Sequence, residues 1–124
     1  MPNRLKITHF KVLHTVKSLN DLGYYPLPDG IVKIINGELD EETLPFAELP
    51  TFGSIISYGS KKINRFILIL KRYGYIAYIL EKESEQLCFK ITKKGLDELE
   101  SFLKRRKKPY KKFAKKFKKT IYKI

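Results

Sequence analysis

The chain has 124 residues, 43% of them hydrophobic, which is enough for one compact domain and a short extension but not for a second sizeable core. No apolar run reaches 18 residues and no signal peptide precedes the first amphipathic pattern, so we expect a cytoplasmic protein. The chain has one cysteine, Cys88, and two histidines five positions apart, His9 and His14. These are too few to build an intrachain disulfide, a common metal site or a histidine-based catalytic site. We therefore expect no cofactor, no small-molecule substrate and no enzymatic activity.

The net charge of +13 is concentrated at one end of the chain. Residues 104–124 contain twelve Lys or Arg and no acidic residue, whereas the rest of the chain holds fourteen basic and all 13 acidic residues. We therefore predict a nearly neutral domain, residues 1–103, and a basic tail, residues 104–124. Cations this dense repel one another unless they meet an anionic surface, which predicts a polyanionic partner.

Apolar residues that recur every three or four positions predict the first two helices. The first spans 3–20, and the second spans 30–36 with Asp29 as its N-cap and Gly37 in the left-handed conformation at its end. We expect His9 and His14 to lie on the helix surface or to be partly buried. The predicted apolar faces of the two helices carry Leu5, Val12, Leu13, Val16, Leu19, Ile31, Ile34 and Ile35. We expect the acidic segment 38–48 to be a solvated loop, or to cover the basic tail in the free state.

A third helix, a hairpin and a fourth helix complete the predicted domain. Ser60 caps a helix over 61–73, the β-rich runs 75–80 and 87–91 form the hairpin, and Thr92 caps the last helix. The inward positions predicted for these two helices are Ile63, Phe66, Ile67, Leu70, Leu96, Leu99, Phe102 and Leu103. In the hairpin, we expect Cys88 to be a small core residue.

The tail combines lysines with an apolar stripe. Pro109 separates it from the fourth helix, and its apolar residues recur at helical spacing: Tyr110, Phe113, Ala114, Phe117, Ile121 and Ile124. This pattern predicts a basic amphipathic helix. A purely electrostatic arm would not need the stripe, which is available to pack on the domain or on a second chain.

The order of three helices, a hairpin and a fourth helix resembles the winged helix-turn-helix. Residues 68–76 carry a long helix followed by Gly-Tyr-Ile, and residues 89–96 contain Ile-Thr-Lys-Lys-Gly, which are similar to the signature of that fold. The resemblance implies a mainly α domain with a β-hairpin (α+β). Its three helices would present the third to a groove of nucleic acid, and the hairpin, or wing, would close the core.

A narrower resemblance, over residues 31–76, is to the RecQ C-terminal (RQC) winged-helix domain. It is carried by Ile-Val-Lys-Ile-Ile-Asn-Gly at 31–37, Leu-Pro-Thr-Phe-Gly at 49–53, Ser-Lys-Lys-Ile at 60–63 and Tyr-Gly-Tyr-Ile at 73–76. The resemblance implies a module that grips duplex DNA near a branch, standing alone without a helicase motor. Glu38 replaces a serine that contacts phosphate in the family, and the wing carries Glu81, Glu83 and Glu85 without an aromatic wedge, which argues against strand separation by the wing.

The candidate contacts to DNA lie at the start of the third helix and in the tail. A helix N-terminus with cations beside it favours phosphate oxygens, and Asn64 and Arg65 are placed to reach base edges. Tyr58 is either a stacking contact or a core tyrosine. The candidates are Tyr58, Ser60, Lys61, Lys62, Asn64, Arg65, Lys104, Arg105, Arg106, Lys107, Lys108, Lys111 and Lys112.

The predicted function is binding of duplex or branched DNA, in preference to RNA, by a nucleoid-associated monomer or weak dimer. Three alternatives remain open. The chain could be a dimeric transcription regulator, or an RNA- or ribosome-associated adaptor whose winged helix binds protein. Its tail could instead lie on an anionic membrane.

Overall fold

The structure, a computed structural model, describes residues 5–55, 59–81 and 86–105. The elements within these ranges are α1 (Ile7–Asp21), α2 (Pro28–Asn36), a 3₁₀ turn (Leu44–Phe46), α3 (Ser60–Arg72), β1 (Ile76–Glu81), β2 (Gln86–Ile91) and α4 (Lys93–Arg105). The described part is mainly helical with one antiparallel two-stranded sheet. The predicted α+β class is therefore confirmed.

Helix α1 is the centre of the fold, and it packs against α2, α3, α4 and β2. Its predicted apolar residues from Val12 to Leu19 are buried, and Phe10 and Thr15 are buried with them. His9 is buried as well, so the expectation of a surface or partly buried histidine is wrong at this position, where the ring packs against Phe66. The helix starts at Ile7, so the predicted start at residue 3 is wrong. The reason is local: the backbone N–H of Lys6 donates to Nδ1 of His9 at 2.9 Å, which caps the helix at this point.

Helix α2 buries Ile31, Ile34 and Ile35, as predicted. It begins at Pro28, and its N-cap is Leu27 rather than the predicted Asp29. The physical reason is that proline favours the first helical position, where its missing N–H would have no partner. At the other end Gly37 has φ 76°, and its N–H donates to the carbonyl of Ile34, which confirms the predicted left-handed cap.

The acidic segment after α2 is folded against the domain. Its 3₁₀ turn is followed by Ala47 and Phe52, which are buried in a second apolar cluster with Leu19 and Ile34. The segment is tied down by polar contacts as well, because Asp40 accepts a 2.8 Å hydrogen bond from the backbone N–H of Thr43. This bond is the main reason why the pKa of Asp40 is lowered. The acidic side chains of the segment are exposed, as expected for a solvated loop, whereas Thr43 and Ala47 within residues 38–48 are buried.

Helix α3 and the hairpin close the other side of the core. Ile63, Ile67 and Leu70 are buried as predicted, and Phe66 packs edge-on against the His9 ring at 4.8 Å between centroids. The hairpin pairs Ile76 with Ile91, Tyr78 with Phe89 and Leu80 with Leu87. Cys88 is buried, as predicted.

The Thr-x-x-Gly sequence at 92–95 joins α4 to the connection between α3 and β1. The hydroxyl of Thr92 accepts a 3.0 Å hydrogen bond from the N–H of Gly95, which confirms the predicted cap, and contacts the carbonyl of Gly74 at 2.6 Å. A Cβ on Gly95 would lie 2.1 Å from the carbonyl oxygen of Tyr75. Glycine is therefore required here because the backbone of α4 approaches that of Tyr75 too closely for any side chain.

Helix α4 runs antiparallel to α1. The N–H of Ile91, just before α4, donates to Oδ1 of Asn20 at the end of α1, whereas Phe102 stacks on Phe10 near its start, with 4.0 Å between centroids. Leu99 is buried and Phe102 is partly buried, as predicted, whereas Leu96 and Leu103 are exposed.

Helix α4 continues to Arg105, so the predicted domain boundary after residue 103 falls inside it. The helix has no breaker at this point, and an ion pair between Glu100 and Lys104 supports its last turn.

Two histidines of α1 are held in their neutral form. Burial is the main reason why the pKa of His14 is lowered to about 4, and the positive charge of Lys17 lowers it further, while Asp21 opposes this. Burial also lowers the pKa of His9, with a second contribution from Lys6. Protonation of either ring therefore costs folding free energy.

We expect stability to fall as the pH is lowered from about 6.5 to about 4. In that window the unfolded chain binds a proton at His14 that the folded chain does not, so the native state loses roughly 2 kcal/mol, after allowance for the ring's partial exposure. Urea unfolding at several pH values measures this loss. His14→Gln should flatten the curve in the same window, and an unchanged pH dependence in this variant would contradict the assignment to His14.

Candidate nucleic-acid interface

Helix α3 has one apolar face and one cationic face. Ile63, Ile67 and Leu70 point into the core. The positions on the opposite side are exposed, and they are Lys61, Lys62, Arg65, Leu68 and Arg72. We call this set the α3 face. Its members are spaced by three or four residues or are adjacent, which places them on one side of a helix.

The start of α3 is open to solvent. Gly59 is the N-cap, with φ −74° and ψ 170°, and no side chain caps the helix. Ser60 was predicted to be the cap and is instead the first helical residue, because the N–H of Ile63 closes the first helical bond on the carbonyl of Gly59. The first turn contains no acidic residue. Both the N–H groups and the helix dipole therefore favour an anion at this end.

Two cations of the α3 face form no ion pair with the described carboxylates. Lysines on other elements pair with carboxylates in the described structure: Lys17 with Asp21, Lys33 with Asp40 and Glu42, Lys93 with Asp97, and Lys104 with Glu100. Lys61 and Arg65 have no carboxylate partner within residues 5–55, 59–81 and 86–105. Helix α3 itself contains no acid. The charges of Lys61 and Arg65 are therefore available to an external anion.

A shallow groove of about 450 Å³ runs along the α3 face. It is lined by Arg65, Leu68, Ile69, Lys71 and Arg72, and Leu68 is 58% exposed. The ammonium group of Lys71 lies 4.7 Å from the centre of the Tyr78 ring, which links the end of α3 to β1. The surface thus combines cations with apolar groups, and these can contact phosphates and the apolar edges of sugars or bases.

The structure brings some of the predicted site residues together and separates others. Lys61, Lys62 and Arg65 share the α3 face, and Asn64 is half-buried beside them. Lys104 and Arg105 lie at the end of α4 and are not part of the α3 face. Six further candidates lie outside the described residues: Tyr58, Arg106, Lys107, Lys108, Lys111 and Lys112.

Two members of the α3 face were missed by sequence reasoning. Leu68 lies three positions and Arg72 seven positions after Arg65. Helical spacing alone therefore places both residues on the same face as Arg65. Leu68 was overlooked because an apolar residue is expected inside. Its exposure became visible only once the buried face of α3 was fixed by Ile67 and Leu70.

The described residues contain neither a cluster of metal-binding side chains nor a membrane-spanning helix. Among the described residues, no group of three or more His, Cys, Asp or Glu side chains is arranged to hold a metal ion. None of the described helices combines the length and apolar character needed to cross a bilayer.

Comparisons with known proteins add no relative. No protein-family model matches the chain, and neither a curated protein nor a solved structure is significantly similar to it.

Proposed function

We propose that this chain is a winged helix-turn-helix protein that binds duplex DNA, with the α3 face in or across the major groove and the basic tail along the phosphates. The observation that carries the proposal is the α3 face itself. It combines exposed cations, an uncapped helix start and a helix without acidic residues. The charge of such a surface is complementary to a phosphate backbone, and an α-helix fits the major groove of B-form DNA.

The element order supports the same proposal. Three helices precede an antiparallel hairpin, and the third of them, α3, leaves its cationic outer face exposed. In a winged helix-turn-helix this position belongs to the helix that enters the groove. The RQC resemblance adds branched DNA as a candidate ligand. A nucleoid-associated protein in the cytoplasm would follow from this activity.

A second candidate function rests on the apolar part of the α3 face. Leu68 and the groove beside it also suit a protein partner, since exposed apolar groups flanked by arginine are common at protein interfaces. In that case the domain would bind protein and the tail would bind RNA. The two functions differ in their preferred nucleic acid, because the deep, narrow major groove of A-form RNA cannot admit a helix.

Binding of the full chain to a panel of ligands tests the proposal. We expect random duplex DNA and forked DNA to bind at least about tenfold more tightly than single strands or structured RNA of equal length, because α3 can enter only the B-form groove. Anisotropy of labelled oligonucleotides at two salt concentrations measures this. Tighter binding of RNA would favour the adaptor, and retention on anionic vesicles without preference for DNA would favour a membrane-surface role.

A further inference from the structure

A second groove, of about 650 Å³, lies on another part of the domain from the α3 face. It is formed where the end of α1, helix α2 and the acidic segment meet. Its apolar lining includes Leu19, Tyr24, Tyr25, Val32 and Phe46. We call it the aromatic groove. Its volume lies within the roughly 300–1,000 Å³ that is typical of binding sites.

The aromatic groove exposes large apolar side chains to solvent. Tyr24 is 55% exposed and Tyr25 is 39% exposed, and the Tyr24 ring stands edge-on to Phe46 with 5.0 Å between centroids. Two hydrogen bonds hold this wall in place, because the N–H of Tyr24 donates to the carbonyl of Leu19 and the side chain of Asn20 donates to the carbonyl of Tyr24. A preformed apolar surface of this kind is a feature of interaction sites.

The rim of the aromatic groove is acidic. Asp29, Glu38 and Glu42 line it together with one cation, Lys33. Lys33 is itself paired with Asp40 and Glu42, at 3.2 and 3.4 Å, so its charge is already compensated. The groove therefore favours a ligand that carries positive charges beside apolar side chains.

We infer that the aromatic groove binds the apolar stripe of the basic tail of the same chain, residues 110–121. In that segment Phe113, Phe117 and Ile121 are spaced four apart, and lysines occupy positions between them. Residues 106–124 contain ten Lys or Arg and no acid. Aromatic and aliphatic groups would enter the groove while the lysines meet the carboxylates of its rim.

The tail is long enough to reach the groove. Helix α4 ends near the start of α1, where Phe102 stacks on Phe10, and the groove lies at the other end of α1, beside Leu19. That separation along α1 is about 14 Å at 1.5 Å per residue, and the three residues of α4 beyond Phe102 add about 5 Å. The seven residues 106–112 span up to about 23 Å when extended, which covers this distance and a shift across one helix diameter.

Docking would give the tail two competing positions. Its lysines cannot contact the groove rim and a phosphate backbone at once, so a polyanion would draw the tail out of the groove. Only the release of the tail by a polyanion depends on the proposed function. The docking itself requires no nucleic acid and is tested without it.

Paramagnetic broadening in the full chain tests the docking. A nitroxide attached at Ala114→Cys, in a Cys88→Ala background, is combined with amide spectra of the labelled chain at low salt. We expect strong loss of signal at groove residues such as Tyr24, Val32 and Phe46, and little loss on the α3 face. Broadening confined to the α3 face, or absent from the described residues, would overturn the inference.

Matched variants separate the apolar from the electrostatic contribution to docking, and a mixing experiment identifies which chain supplies the tail. Phe113→Ser with Phe117→Ser keeps every tail charge and should abolish the broadening, as should Asp29→Lys with Glu38→Lys on the rim. Reversal of two exposed acids of α4, Asp97→Lys with Glu100→Lys, should leave it unchanged. Equal broadening when a nitroxide-bearing chain is mixed with a separate isotope-labelled chain would mean that a second copy supplies the tail, which would also overturn the inference.

Discussion

Replacement of Lys61, Lys62 and Arg65 by alanine is expected to weaken binding of the full chain to duplex DNA about a hundredfold at a fixed salt concentration. In the proposed complex each of the three exposed side chains would supply a charge-assisted contact to phosphate, and about 1 kcal/mol for each contact gives this factor. Fluorescence anisotropy of a labelled random duplex measures it. Loss of the contacts should also make the salt dependence shallower, by a slope of about 0.9 for each phosphate released.

A matched triple variant tests whether position or total charge is responsible. Lys17→Ala, Lys90→Ala and Lys93→Ala remove the same charge from α1, β2 and the start of α4, outside the α3 face. We expect this variant to bind within about threefold of the natural chain, because only long-range attraction is lost. Equal weakening by both triples would show that net charge alone sets the affinity, and α3 would then be removed from the proposed interface.

Replacement of Gly95 by alanine is expected to destabilise the fold by about 3 kcal/mol or more. The added methyl carbon would meet the carbonyl oxygen of Tyr75 at 2.1 Å and a side-chain carbon of Ile91 at 2.8 Å, so α4 would have to move off the hairpin. The same shift would break the contact between the Thr92 hydroxyl and Gly74. The midpoint of urea unfolding, followed by circular dichroism, measures the loss.

Gly30→Ala is the control for this substitution. Gly30 is also helical, in the first turn of α2, and a Cβ there meets no atom within 4 Å. Helix propensity alone then acts, and the variant is expected to be neutral or more stable by up to about 1 kcal/mol. An unfolding midpoint for Gly95→Ala equal to that of the natural chain would show that α4 does not approach Tyr75 as closely as described.

Much of the fold could be predicted because apolar periodicity reports directly on burial. Ile31, Ile34 and Ile35 identify α2, and Ile63, Ile67 and Leu70 identify α3, since each set lies on one helical face. Helix ends were harder to place, because they depend on single contacts. The His9 ring fixes the start of α1, and proline geometry fixes the start of α2.

The burial of apolar residues in and after the acidic segment could not be predicted from its charge pattern. Its density of Glu and Asp predicts a solvated loop, and these side chains are exposed, but Ala47 within the segment and Phe52 just after it are buried with Leu19 and Ile34. Such contacts join positions far apart in the chain and have no periodicity to mark them. The aromatic groove was missed for the same reason, since Tyr24, Val32 and Phe46 come together only in three dimensions.

The candidate site was predictable where it depends on one helix. Lys61, Lys62 and Arg65 follow from the spacing of exposed positions on α3, whereas the exposure of Leu68 depends on which face the core covers. The proposal that the α3 face and the tail bind one ligand depends on tertiary geometry. No local sequence pattern predicts that geometry.

The central claim is that the α3 face and the basic tail neutralise phosphates together. The salt dependence of duplex binding by the full chain tests it most directly. If about ten phosphates are contacted, the plot of log binding constant against log salt concentration should have a slope of about −9. A slope shallower than about −3 would mean that at most three or so phosphates are neutralised, and it would contradict the claim.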